Sequence, residues 1–245
     1  MSKATLSSIT ILFFTSFVSL FGQQKAIITY EETFHVTVPE EMKSRGFKIP
    51  DKIENGLILI IDGEKSSYKP APVIVDPNMD ESTRRMNSMM RRFGGGGTED
   101  VYTDLDAGVQ LTKASIFGKE VTIKEDPERF KWKVIASEQR DILGYACMKA
   151  ELMDTSSIKT YVWFTPQIKI YSGPRGLGGL PGLILASTVG EDKVVLARTI
   201  DLKPTEVIIV PVEDKKTITR EEYVKTVKEK TDEMRKMYGG QRGPR

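Results

Sequence analysis

Short segments rich in β-branched and aromatic residues recur along this chain, and tight turns such as 117–119 and 141–144 separate them. Such segments favour β-strands, and closely spaced turns favour antiparallel neighbours. The segments are 26–38, 57–61, 101–105, 109–117, 121–125, 131–138, 144–152, 158–165, 182–189, 193–202 and 206–210. The pattern predicts a mainly β fold, a strongly curved antiparallel sheet or half-barrel with the shape of a bowl.

A C-terminal α-helix is predicted after the strands. Residues 219–238 begin with Thr219 and place Glu222 three positions later, which is the spacing of a capping box. The apolar stripe of this segment is narrow, so we expect light docking on the sheet or contact with a partner. Residues 213–245 are therefore predicted to form a helix followed by a basic, flexible tail.

The first 22 residues have the pattern of a secretory signal peptide. Lys3 precedes an apolar run at 9–21, and Gly22 is a small residue suited to cleavage. The run is shorter than the roughly 20 residues that a bilayer-spanning helix needs. We therefore expect an exported protein, in the periplasm or associated with the outer membrane, whose β-rich domain covers residues 23–212. No transmembrane segment is expected in this mature protein.

A glycine-rich apolar stretch, GLGGLPGLIL, occupies residues 176–185. Gly179 permits a positive φ or a close backbone approach, and Pro181 fixes its own φ. Leu177 and Leu180 would then pack beneath the turn. The stretch predicts a hydrophobic loop folded onto the sheet, closing one end of the half-barrel. The alternative is a loop whose exposed groups contact a ligand or partner.

A low-complexity insertion at 76–100 interrupts the strands. Its composition favours a disordered linker. Its arginines suggest an acidic partner or a membrane surface: Arg84, Arg85, Arg91 and Arg92. Its methionines could instead bind Cu(I), because thioether sulfur is a soft ligand: Met79, Met86, Met89 and Met90. The linker, the adhesive arm and the copper site remain three alternatives for this insertion.

Residues suited to catalysis do not form a recognisable constellation in the sequence. The one histidine, His35, lies far along the chain from the one cysteine, Cys147, and no zinc-binding spacing occurs. We therefore expect no enzyme and no cofactor. A net charge of +2 gives no reason to expect nucleic acid as a partner.

Three aromatic residues, Trp132, Tyr161 and Trp163, fall in neighbouring predicted strands. The simplest interpretation places them in the hydrophobic core. If the bowl is open, the same three side chains would instead line a pocket for a lipid or a peptide.

Several motifs resemble those of the GLPGLI family, secreted proteins found mainly in Bacteroidetes. The six letters themselves stand at 179–184. The blocks FKWKVIASEQRDILGYACMKA at 130–150, VWFTPQIKIYSGP at 162–174 and LILIIDGEKSSY at 57–68 are similar to further family segments. The resemblance covers about residues 26–210.

This resemblance implies a function by context, because genes of the family often lie near those of TonB-dependent outer-membrane transporters. The expected function is a non-enzymatic periplasmic binding or accessory protein of such a transport system. The expected partners are an outer-membrane protein or transporter, and a lipid or peptide ligand. The alternative function is Cu(I) handling by the methionine-rich insertion.

Overall fold

Twelve strands form one sheet in the computed structural model of this protein. The structure describes residues 24–35, 44, 52–71, 100–155, 157–212 and 216–239. In chain order the strands are β1 (Lys25–His35), β2 (Lys52–Asp62), β3 (Lys65–Pro70), β4 (Asp100–Asp104), β5 (Val109–Ile116), β6 (Lys119–Glu125), β7 (Trp132–Ile142), β8 (Tyr145–Leu152), β9 (Thr160–Thr165), β10 (Leu183–Val189), β11 (Lys193–Asp201) and β12 (Thr217–Ile218). A short 3-10 helix (Pro174–Gly176) precedes β10, and helix α1 (Arg220–Gly239) follows β12. The predicted curved β-sheet with a C-terminal helix is confirmed.

Tight turns join several neighbouring strands, as the sequence predicts. Phe117 and Gly118 have φ values of 48° and 83° between β5 and β6, and Leu143 and Gly144 have values of 55° and 81° between β7 and β8. Two consecutive positive φ values are typical of type I′ turns, whose twist matches that of the flanking strands. Both predicted turns therefore act as hairpin connections.

Three parts of the strand prediction are wrong. β3 was not predicted, because its sequence KSSYKP is mostly polar, yet its residues 66–68 are buried between β2 and β4. Residues 206–210 form no strand, and Ile208 and Val210 are 63% and 61% exposed. The two-residue strand β12, also not predicted, pairs in parallel with β6 instead.

The sheet curls until its two ends lie close together. The strand order is β12-β6-β5-β4-β3-β2-β1-β11-β10-β9-β8-β7. β6 is the second strand and β7 the twelfth, a separation of about 48 Å in a flat sheet with strands about 4.8 Å apart. The connection 126–131 joins them and spans at most about 25 Å. The sheet is therefore a half-barrel, and the connection 126–131 crosses its open side.

Strand register defines the inner face of the half-barrel. One cross-strand row of this face is buried throughout and consists of Ile28, Leu59, Tyr68, Val101, Thr112 and Ile123. A second row continues across the other strands as Glu32, Val195, Ser187, Val162, Ala150 and Val134. The opposite face of the sheet is called the outer face below.

Residues 172–182, the plug loop, fill the space between opposite walls of the half-barrel. A Cβ at Gly173 would lie 2.6 Å from the Cβ of Ile184 on β10, and a Cβ at Gly176 would lie 2.5 Å from the Gln110 side chain on β5. These strands are ninth and third in the sheet, yet the four residues 173–176 bridge them. Leu180 is buried with Phe164 in the apolar cluster under this loop.

Helix α1 is tied to β6 in its first turn, where Arg220 forms an ion pair with Glu125. The capping box is present: the Glu222 N–H donates to Thr219 Oγ1 (3.2 Å) and the Thr219 N–H donates to Glu222 Oε2 (2.8 Å). Farther along the helix, Val224 is 56% exposed. Among the described residues, no helix combines the length and apolar character that crossing a bilayer requires.

Close packing of the plug loop against β9 predicts an unequal response to glycine substitution. Gly182→Ala places a Cβ 2.0 Å from the Thr165 carbonyl oxygen, so the backbone must move and unfolding free energy should fall by several kcal/mol. Gly108→Ala is the matched control, because φ is +60° there and no atom lies within 4 Å of the added Cβ. Backbone strain alone should cost this control about 1 kcal/mol. Urea unfolding measures both variants, and equal losses would contradict the close contact.

Candidate binding site

Strand alternation separates the three aromatic residues that the sequence analysis grouped. Trp132 shares the inner face with Val134, whereas Tyr161 and Trp163 flank Val162 and therefore lie on the outer face. The structure thus does not bring the three side chains into one pocket. It does bring Trp132 to the plug loop, and Trp132 and Leu177 of that loop pack against the same apolar cluster.

The inner-face tryptophan forms an aromatic pair at the open side of the half-barrel. The ring centroids of Phe130 and Trp132 are 6.1 Å apart with planes tilted by 31°. The Trp132 Nε1–H donates to the Gly178 carbonyl oxygen at 2.8 Å, which ties the indole to the plug loop. The guanidinium of Arg129 lies 4.1 Å from the centre of the Phe130 ring, a cation–π distance.

Both rings of this pair are half-buried, so part of each remains open to a ligand. Gly179 is exposed beside them, and Pro181, two residues later in the plug loop, is exposed as well. Gly179 has a φ of +77°, and a Cβ there would meet Phe130 and Trp132 only at ordinary contact distances of 3.6 Å or more. We call this surface the Trp132 cluster, consisting of Arg129, Phe130, Trp132, Gly179 and Pro181.

A polar network supports the cluster from inside the half-barrel. With its amide turned to suit both neighbours, Gln110 donates to the Gly176 carbonyl oxygen at 2.9 Å and accepts from Arg129 Nη2 at 3.0 Å. Arg129 Nε also lies 3.2 Å from Oε1 of the buried Glu125. Arg220 of α1 holds the same carboxylate through two nitrogen–oxygen contacts of 3.2 and 2.6 Å. Burial lowers the pKa of Arg129, and the nearby Arg220 adds to this effect.

A second buried carboxylate ties the plug loop to the centre of the sheet. Glu32 on β1 is 1% exposed, and its Oε1 lies 3.1 Å from Lys193 Nζ and 3.6 Å from Arg175 Nε. Neither contact has hydrogen-bond geometry, so these two cations hold Oε1 by charge. Arg175 belongs to the plug loop and has a φ of 59°. Lys193 also lies 4.5 Å from the centre of the Phe34 ring. These ion pairs connect β1, β11 and the loop.

The residues considered for catalysis lie apart in the structure. His35 is at the exposed end of β1. Cys147 is fully buried, and burial, with a smaller contribution from Asp141, raises its pKa to about 11. A thiol with this pKa is protonated at neutral pH and is a poor nucleophile. Within the described ranges, no three residues of the His, Cys, Asp and Glu types are grouped to hold a metal ion.

Several predicted sites lie outside the described residues. These are the signal peptide, nearly all of the insertion at 76–100 and its candidate residues Arg84, Arg85, Arg91, Arg92, Met79, Met86, Met89 and Met90. The basic tail after residue 239 is outside them as well.

Sequence comparison identifies the domain that carries this site. Residues 100–230 match the sequence profile of the PNGase F-II N-terminal domain, described as the N-terminal domain of N-glycanase peptide. The match covers more than half of the 245 residues.

The chain belongs to this family.

Both the Trp132 cluster and the plug loop lie within the residues matched. No curated protein is detectably similar in sequence to the chain.

Solved structures of PNGF-II resemble this chain at low sequence identity. Two of them, in different crystal forms, have TM-scores of 0.48 and 19% identity, and the similarity covers 83% of this chain. It covers 33% and 32% of the PNGF-II chains, so this chain spans about a third of their length.

This family membership corrects two predictions. The resemblance to the GLPGLI family is wrong, because the matching profile is that of the PNGase F-II N-terminal domain. The function inferred from that resemblance, an accessory protein of a TonB-dependent transport system, is wrong for the same reason. The copper-handling alternative has no support in the comparisons either. The glycine-rich motif has a physical explanation instead, since Gly176 and Gly182 permit close contacts of the plug loop and Gly179 has a positive φ.

Arg129 and Phe130 complete the Trp132 cluster but were not predicted as site residues. They lie in the connection 126–131, and only the curl of the sheet brings that connection against the plug loop. The signal that was present is local: an arginine and a phenylalanine stand just before Trp132.

The Glu32 ion pairs predict a strong dependence of stability on this carboxylate. Glu32→Gln keeps the volume of the side chain but removes the negative charge that Lys193 and Arg175 contact. Removing one member of a buried ion pair should lower the free energy of unfolding by about 3–5 kcal/mol.

Glu54→Gln is the control for this variant, because Glu54 pairs with Lys52 at an exposed position. This substitution should leave the free energy of unfolding unchanged within error. Chemical denaturation compares the two variants. A Glu32→Gln protein as stable as the control would show that the buried ion pairs do not hold the loop.

Proposed function

We propose that this chain is a non-catalytic carbohydrate-binding domain of an N-glycanase-type protein, and that it binds the N-linked glycan of a glycoprotein at the Trp132 cluster. The observation that carries the proposal is the family match over residues 100–230, which includes every residue of this cluster. Export, predicted from residues 1–22, would place such a domain where it meets glycoproteins outside the cytoplasm.

The chemistry of the cluster suits a sugar ring. A pyranose has a C–H face that packs on aromatic rings and a rim of hydroxyl groups that hydrogen-bond to polar side chains. Phe130 and Trp132 supply two partly open rings, and aromatic faces dominate many recognition sites. Arg129 and the exposed backbone at Gly179 supply polar groups at their edge.

Binding is proposed in preference to cleavage because the reactive groups are already engaged. Hydrolysis needs a side chain that can give or take a proton beside the substrate. Near the plug loop, the buried carboxylates of Glu32 and Glu125 are each held by two cationic side chains. The Cys147 thiol is buried and has a raised pKa. These contacts tie structural elements together.

Phe130→Ala should weaken glycan binding without unfolding the domain. We expect at least about a tenfold loss of affinity for a neutral, desialylated biantennary N-glycan, since one aromatic platform is removed. The chain has two tryptophans, so ¹⁵N NMR gives two indole N–H signals. The glycan should shift the Trp132 signal. Phe117→Ala is the control, because Phe117 is 53% exposed in a distant turn.

Two outcomes would contradict the proposal separately. If the neutral glycan moves no signal of the cluster, the binding site is wrong. If the chain releases glycan from an N-glycopeptide, as followed by mass spectrometry, the non-catalytic assignment is wrong even when binding is present.

A further inference from the structure

A second aromatic and cationic surface lies on the outer face of β7, β8 and β9. The guanidinium carbon of Arg140 lies 4.5 Å from the centre of the Trp163 ring. Lys149 Nζ lies 4.4 Å from the centre of the Tyr161 ring and 5.6 Å from that of Trp163. We call these four residues the outer cationic cluster. The Trp132 cluster is on the opposite face of the same strands.

Strand pairing and burial hold this cluster in place. Lys149 and Trp163 are direct cross-strand partners, and so are Arg140 and Cys147. The body of the Trp163 side chain is buried in the apolar cluster with Cys147 and Ile168. The indole is therefore a fixed platform, and the two cations lie over it.

The guanidinium of Arg140 is available to form an ion pair with a ligand. Its side chain is exposed, and no carboxylate within the described part of the chain comes within ion-pair distance of it. The neighbouring carboxylates are engaged elsewhere, Glu138 by Lys149 and Glu151 by Lys159. Asp141 accepts the N–H of Gly144 in the adjacent turn. A guanidinium presents a fork of N–H donors that matches a carboxylate.

The partner that fits this surface is a carboxylate attached to a small ring. The carboxylate would pair with Arg140. Lys149 would add a second positive charge, with the ligand carboxylate replacing its exposed partner Glu138. The apolar side of the ligand would lie against Tyr161, which remains half-exposed. Neutral sugars carry no carboxylate that would form an ion pair with Arg140.

We propose that the outer cationic cluster is a binding subsite for the carboxylate of an acidic sugar, the sialic acid class at the ends of N-glycan branches. The inference rests on the proposed function, because it takes the ligand to be an N-glycan. It adds that the domain distinguishes acidic from neutral glycans, and that it does so on the outer face.

The experiment titrates the full chain with N-acetylneuraminic acid and, separately, with its methyl ester, following the two indole N–H signals. The acid should shift the Trp163 signal and bind at least about ten times more tightly than the ester, which lacks the charge. Arg140→Ala should remove this preference. Arg140→Lys, which keeps a cation near the indole, should retain only part of it.

Arg198→Ala is the matched control, because Arg198 is an exposed arginine already paired with Glu31. It should bind the acid as the unsubstituted chain does. Dispersed indole signals in every variant show that the fold is retained. Equal binding of acid and ester, an unmoved Trp163 signal, or full binding by Arg140→Ala would overturn the inference.

Failure of this inference is distinguishable from failure of the proposed function. Binding of the neutral glycan is measured by the shift of the Trp132 indole N–H signal, and binding of the acidic monosaccharide by the shift of the Trp163 signal. A chain that binds the neutral glycan but shows no preference for the acid retains its proposed function and loses only the acidic subsite.

Discussion

The contact between the plug loop and both walls of the half-barrel is the constraint on which the rest of this structure depends. Gly173 lies against Ile184 on one wall, and the Gly176 carbonyl accepts a hydrogen bond from Gln110 on the other. A side chain at Gly173 would collide with the Cβ of Ile184, and one at Gly176 would displace the Gln110 amide from its hydrogen bond. The curl of the sheet, the burial of Glu32 and the position of the connection 126–131 all follow from this close approach.

The two faces of the sheet have different chemistry because strand alternation divides them. Inside, the loop, the aromatic pair and two buried carboxylates form one connected system of packing and ion pairs. Outside, Arg140 and Lys149 cover the Trp163 indole at the edge of the sheet. A branched ligand could therefore be recognised by apolar stacking on one face and by charge on the other.

Much of the fold could be predicted from local patterns, whereas the site could be predicted only in part. Positive φ at Phe117–Gly118 and Leu143–Gly144, and the capping box at Thr219 and Glu222, are properties of a few adjacent residues. β3 escaped prediction because Ser66 and Ser67 are buried by neighbouring strands rather than by their own apolarity. The resemblance to another family misled because the shared glycine-rich motif reflects loop packing.

The location of Trp132 and Trp163 on opposite faces of the sheet could not be predicted, since it depends on sheet register and on the bulge in β7 between Ile135 and Gln139. Arg129 and Phe130 likewise join the site only through the tertiary curl.

The most direct test of that curl is a ¹⁵N-edited NOESY spectrum of the full chain. A curled sheet predicts cross-peaks from the Gln110 side-chain amide to the Gly176 α-protons, with cross-strand peaks between β4 and β5 as the internal control. Control peaks without any Gln110–Gly176 contact would contradict it.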